Sequence, residues 1–331
     1  MTERRITAGA EEDDPAIERA LTTALSTEPL DDQTLERLRA TVMDEWRAAN
    51  APASFERKGR WIALSVAAVV AALAVGFIVR PTGDAAAVGT IARLDGAIDV
   101  RGTFWRHWTA HVGDALKSGE TLTAHGPVLL SLMQGGTLRV AAGSVLHLTG
   151  GAEVSLAHGL VYLDVAPSIK SSTPLRILTR VGAVEHLGTQ FEVLSNEGAV
   201  RIRVREGRVR LVGRAGSVVA SAGTELLASV RGGISQRSVE TYGRDWLWVA
   251  ALAPDYDIEG RPLIDFLQWV SRELGRRVEY ADAHARDLAA HTIMHGSVRG
   301  REPLEALADV LATTSLTYEM RADTIRVHSV Q

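Results

Sequence analysis

The chain has 331 residues, 46% hydrophobic and 23% charged, with a formal net charge of −4. That length calls for two or more folded units, and the composition excludes a wholly disordered or fibrous chain. The absence of cysteine excludes disulfides, thiolate zinc sites, iron–sulfur clusters and a cysteine nucleophile, and the charge balance gives no bulk attraction to nucleic acid.

Charge is unevenly spread. Residues 1–60 hold 13 acidic and 9 basic side chains, whereas residues 61–331 hold 27 of each. Residues 1–13 are polar. Asp14-Pro15 has the form of an N-cap followed by proline at the first helical position, and Ile17, Leu21 and Leu25 recur every four residues. After Pro29, Asp31 or Asp32 is placed to cap a second helix with Leu35, Leu38, Val42 and Trp46 along one face. Two such short helices bury little by themselves. These four residues are therefore candidates for docking a partner, with a self-packed hairpin or a passive tail as the alternative.

From Trp61 to Val79 run nineteen residues without a charge and with one hydroxyl, Ser65. At the helical rise this is ~28 Å, close to the thickness of a hydrocarbon core. The stretch predicts a single transmembrane helix, so the lipid bilayer is an expected partner. A buried core helix, or a leader cleaved near Ala85-Ala86-Ala87, is the alternative. Arg57, Lys58 and Arg60 before the span, against Arg80 and Arg93 after it, place the N-terminus in the cytoplasm. The expected layout is a cytoplasmic helical arm (1–60), a membrane helix (61–79), an all-β unit (88–235) and a small α+β unit (254–331).

Beyond Val88 the hydrophobic period becomes two, in short segments punctuated by glycine pairs such as Gly135-Gly136 and Gly150-Gly151. This predicts roughly ten or more short strands in a sandwich or a roll of stacked hairpins. Within residues 186–213, Phe191 and Val193 alternate with Gln190 and Glu192. Val200, Ile202 and Val204 alternate with Arg201, Arg203 and Arg205. Glu206-Gly207 reads as a hairpin turn, after which Arg208 and Arg210 return on the same outer face. That arginine face is a candidate docking surface for an anionic partner. The alternative is a solvated face whose like charges are offset by Glu192 and Glu185. No aromatic residues are interleaved with these arginines for base stacking, so nucleic acid is not an expected partner.

Gly-Asp-x-Leu at 113–116, Gly-Glu-Thr-Leu at 119–122, Leu-Arg-Val-Ala-Ala-Gly-Ser at 138–144, Gly-x-Val-Tyr-x-Asp-Val at 159–165, His-Leu-Gly-Thr-Gln-Phe-Glu-Val at 186–193 and Arg-Val-Arg-Glu-Gly-Arg-Val at 203–209 together resemble the FecR family. Gly188, Thr189, Phe191, Val193, Glu206 and Gly207 carry the family pattern. The resemblance implies a single-pass sensor set between an outer-membrane receptor and a cytoplasmic sigma factor.

Trp246 and Trp248 fall in a connecting segment. Beyond it, strands are expected near Tyr256–Ile258, Arg276–Tyr280 and Thr292–Val298. Helices are expected over Leu263–Leu274 and from Glu302-Pro303, and a closing hairpin at Leu316–Met320 and Thr324–His328. The resulting β-α-β-β-α-β-β order resembles the short N-terminal (STN) domain of secretins and TonB-dependent receptors, which implies docking with a receptor's signalling domain.

No phosphate loop, nucleophile elbow or zinc-protease helix is present, and no cofactor or metal is expected. The spacing of His107 with His111, and of His291 with His295, is four, but neither pair is predicted to converge on a metal. One reactive feature is Gly188-Thr189, a hydroxyl directly after glycine, where a strained turn would permit an N-to-O acyl shift and self-cleavage. A structural bend is the alternative. The expectation is an inner-membrane sensor relaying an envelope signal, such as iron-chelate uptake, from a TonB-dependent receptor to a sigma factor of the extracytoplasmic-function class. The alternative is a membrane-anchored periplasmic scaffold with no transcriptional role.

Overall fold

A computed structural model describes residues 85–102, 106–150, 152–166, 175–186, 188–213 and 216–330. Leu35, Leu38, Val42, Trp46 and the span Trp61–Val79 lie outside the described residues. Among the described residues no helix is long and apolar enough to cross a membrane.

The period-two segments form strands in chain order. The first six are β1 (Ala87–Leu94), β2 (Ile98–Arg101), β3 (His107–Thr109), β4 (Ala115–Lys117), β5 (Thr121–Ala124) and β6 (Val128–Leu132). Next come β7 (Thr137–Val140), β8 (Val145–Gly150), β9 (Glu153–Asp164), β10 (Arg176–Thr179), β11 (Gly182–His186) and β12 (Gln190–Ser195). The unit closes with β13 (Ala199–Glu206), β14 (Arg208–Gly213), β15 (Gly216–Ser221), β16 (Thr224–Ser229) and β17 (Ile234–Ser238).

They pair into two faces. One face runs β4-β1-β6-β7-β9-β12-β13-β16-β17. The other runs β3-β2-β5-β8-β9-β10-β11-β14-β15. Strand β9 belongs to both: Glu153–His158 pair with β8 or β10, and Gly159–Asp164 with β7 or β12. Ile98, Val100, Leu122, Leu146, Val161 and Ile202 are among the residues buried between the faces. Each such side chain contributes about 1.5–3 kcal/mol relative to exposure.

Glu206-Gly207 does not close a hairpin. Strand β13 pairs with β12 and β16, whereas β14 pairs with β11 and β15. The dipeptide is a corner that carries the chain from the first face to the second. Arg201, Arg203 and Arg205 therefore do not share a surface with Arg208 and Arg210. Alternation fixes which side of a strand is apolar but not which strand lies beside it.

A 3₁₀ turn (Arg244–Trp246) and helix α1 (Leu247–Ala251) lead to the C-terminal module. Its elements are α2 (Leu263–Leu274), β18 (Arg277–Tyr280), α3 (Ala283–His291), α4 (Pro303–Leu311), β19 (Leu316–Met320) and β20 (Thr324–Ser329). The sheet order is β18-β20-β19, with β18 parallel to β20. This α-β-α-α-β-β order corrects the expected β-α-β-β-α-β-β. Tyr256–Ile258 forms no strand, and Thr292–Val298 contributes one bridge, Pro262 with Ile293. The unforeseen α3 is capped by Asp282, whose side chain accepts from the Ala285 N–H, and it buries only Ala285 and Ala289. So small a buried stripe leaves little hydrophobic period to read.

Candidate functional site

The outer side of the first face carries a row of polar residues held in register. Arg139 lies opposite Tyr162, Tyr162 opposite Glu192, Glu192 opposite Arg203, Arg203 opposite Glu225 and Glu225 opposite Arg237. Charges alternate along much of the row, so neighbours pair. Arg203 Nε donates to Glu225 Oε2 at 2.7 Å, and Arg237 Nε to Glu225 Oε1 at 2.6 Å. Hydrogen bonds from Arg237 and then Arg203, against the cost of desolvation, hold the Glu225 carboxyl below its ordinary range.

The connecting segment lies across this row. Trp248 Nε1 donates to Glu192 Oε2 at 3.0 Å, and Arg203 Nη1 to Asp245 Oδ2 at 2.9 Å. Trp246 and Trp248 present edges to Tyr162, with ring centroids 6.1 and 6.5 Å away. Burial pushes the Tyr162 phenol above its usual range. Arg139, fully buried, lies over the Tyr162 ring. It donates to the Val249 carbonyl at 2.6 Å and to both Glu273 oxygens at 3.0 and 2.8 Å. Glu273 belongs to α2, so this buried pair joins the β unit to the C-terminal module. Burial raises the Glu273 carboxyl's pKa, with Arg139 pulling the other way.

A second row adjoins the first. Gln190 lies between Asp164 and Glu206, and its Nε2 donates to Asp164 Oδ2 at 2.9 Å. From α2, Arg272 binds Asp164 through Nη2 and Glu206 through Nη1. Register slips here: Gln190 faces Glu206 while Phe191 faces Val204, leaving Arg205 as the extra residue of a β-bulge. The bulge re-aims Arg205. It is 4% exposed, donates through Nε to the Thr241 carbonyl at 2.8 Å and lies over Trp246. Its guanidinium packs on Gly275, the left-handed C-cap of α2, where any side chain would collide with it.

Beside this row sits Gly188-Thr189. Gly188 has φ 69°, Thr189 is fully buried, and Thr189 Oγ1 has no hydrogen-bond partner. The Val165 N–H donates to the Thr189 carbonyl at 3.1 Å. Gly207, at φ 76°, lies flat against the dipeptide, where a Cβ would run into the Gly188 carbonyl oxygen and come within 2.8 Å of Thr189 Cγ2.

The residues singled out in the sequence thus part company. Phe191 and Val193 are core, and Glu206, Gly207, Gly188 and Thr189 meet at one corner. Arg201 pairs with Glu192 at 3.0 Å, Arg210 pairs with Glu185 on the other face, and Arg208 is exposed. His291 Nδ1 lies 2.9 Å from the Asp287 carbonyl, whereas His295 Nδ1 lies 2.9 Å from Glu259, so the two rings do not converge. Among the described residues no cluster of three metal-ligating side chains occurs. Sequence reasoning assigned no site role to Arg139, Tyr162 and Asp164, although all three stand in family-like motifs (138–144 and 159–165), and none to Arg272 and Glu273. The available signal was Glu273, which continues the buried stripe Leu263, Phe266, Leu267 and Val270 of α2. An acid on an apolar face needs a buried partner.

Residues 121–210, from β5 through the first half of β14, match the family described as FecR protein. No curated protein matches the chain. Two crystal structures of a candidate anti-sigma factor from Parabacteroides distasonis are 14% and 15% identical to it. They cover 64% and 63% of this chain and 99% and 98% of their own, each at a TM-score of 0.33. A structure described as a cell surface anchoring domain is 26% identical, covers 19% of this chain and 87% of its own, and has a TM-score of 0.19.

Proposed function

We propose that the chain is a FecR-type sensor of the bacterial inner membrane that controls a cytoplasmic sigma factor of the extracytoplasmic-function class. The observation that carries this reading is the match to the FecR family at residues 121–210, preceded in the sequence by the apolar stretch Trp61–Val79 and an N-terminal arm whose candidate docking residues are Leu35, Leu38, Val42 and Trp46. In this reading the arm holds the sigma factor, the span crosses the lipid once, and the C-terminal module meets the signalling domain of a TonB-dependent receptor. Co-expression of the full chain with each such sigma factor of its own genome, followed by affinity capture, tests it. One sigma factor is expected to co-purify, and to be lost when residues 1–55 are deleted. Capture of none overturns the reading, and envelope function that survives the deletion points to a scaffold.

A second reading concerns Gly188-Thr189. It is favoured by a buried hydroxyl without a partner directly after a glycine in the left-handed region. Thr189 Oγ1 attacks the Gly188 carbonyl carbon, the C–N bond breaks as the hydroxyl proton passes to the Thr189 nitrogen, and water then hydrolyses the ester. Two fragments with a new N-terminus at Thr189 are expected from the purified chain, and none from Thr189→Ala. A single intact species in the wild type rejects the step.

A further inference from the structure

Each of the two carboxylates that Arg272 binds stands one residue before a group that touches the Gly188-Thr189 dipeptide. Asp164 precedes Val165, whose N–H holds the Thr189 carbonyl at 3.1 Å. Glu206 precedes Gly207, whose Cα packs on the Gly188 carbonyl. The guanidinium therefore bridges the strands on either side of Gln190 and fixes both walls of the corner at once. Arg is suited to this because its planar fork grips two acceptors in fixed directions, which a lysine ammonium does not.

We propose that α2 acts as a strap: through Arg272 it holds shut the corner at Gly188-Thr189, and separating the C-terminal module from the β unit opens that corner. The contact is built to part in order. At the rim the side chains of Arg272, Glu206 and Asp164 are 22%, 42% and 11% exposed, whereas those of Arg139 and Glu273 behind them are 0% and 3% exposed. Solvent thus reaches and screens the Arg272 pairs first. Arginines 139, 205 and 272 balance Asp164, Glu206 and Glu273, so the contact leaves no surplus charge that calls for a bound ion. The inference rests on the C-terminal module being the part that meets the signal, but the behaviour of the corner is measured without any partner.

Amide hydrogen exchange of the full chain tests it. In Arg272→Gln, the amide of Val165 is expected to exchange about tenfold faster or more. Amides of Val100 and Leu146 on the other face should stay within about twofold of wild type. Arg272→Lys, able to reach one carboxylate at a time, should fall between. An unchanged Val165 amide overturns the strap, and so does acceleration spread evenly over both faces, which would mark a merely weakened fold. Should Arg272→Gln not fold, Glu206→Gln, which leaves the Asp164 pair in place, carries the same expectation and the same grounds for rejection. Failure to capture a sigma factor leaves this result standing. A closed corner in both variants ends the strap and leaves the regulatory reading intact.

Discussion

Gly207 is the residue on which the corner turns. Its φ of 76° is costly for any L side chain, and a Cβ there would overlap the Gly188 carbonyl, a backbone atom that cannot swing away. Gly207→Ala is therefore expected to lower unfolding free energy by about 2 kcal/mol or more, read as a lower denaturant midpoint. An unchanged midpoint would mean that the corner is not packed as described. His186, two residues before Gly188, offers a different handle. It is buried, its Nδ1 has no partner, and burial depresses its pKa below the ordinary 6.5. Above that pH the ring is neutral in both states and costs nothing. As pH falls below 6.5 the unfolded chain takes up the proton first, so stability is lost down to the depressed folded value. The wild type should lose more stability than His186→Gln between pH 7.5 and about 5. Parallel pH profiles for the two would exclude His186 as the cause.

At the scale of elements, the bulge at Arg205 explains why the arginine strand is only partly an outer face. Alternation sends Arg201 and Arg203 outward correctly, and Arg201 does meet Glu192. It cannot register an extra residue, which turns Arg205 toward Thr241 and Trp246 and brings Glu206 to Arg272. Most strands and two of the three helices of the C-terminal module were legible, because their apolar periods are set locally. The pairs that join elements were not: Arg139 lies 110 residues from Val249 and 134 from Glu273. No local pattern reports a separation of that kind. Breaking the buried pair should be costly. Glu273→Ala removes the carboxylate that grips the buried Arg139 guanidinium with both oxygens, leaving Asp164 at 3.8 Å, and is expected to cost about 3 kcal/mol or more. The double variant Arg139→Met with Glu273→Leu should recover much of that, since two apolar side chains leave no stranded charge. If the double variant is as unstable as the single one, the pair's role is packing rather than charge.

For the molecule as a whole, the connecting segment and α2 cover a face that the β unit would otherwise expose. Tyr162 and Arg139 are buried only because Trp246, Trp248, Val249 and Glu273 lie on them. The stability of the β unit therefore depends on the segment C-terminal to it. A chain ending at Ser238 is expected to melt about 5 °C or more below the full chain, because ~1 kcal/mol shifts a unit of this size by several degrees. Equal melting temperatures would show two independent units. The long strand β9 has a consequence of its own. Its first half is woven into one sheet and its second half into the other, so no plane separates the sheets without severing its backbone. An inserted residue between Glu153 and Asp164 would therefore shift one half of β9 against the other and disturb the junction at which both sheets meet.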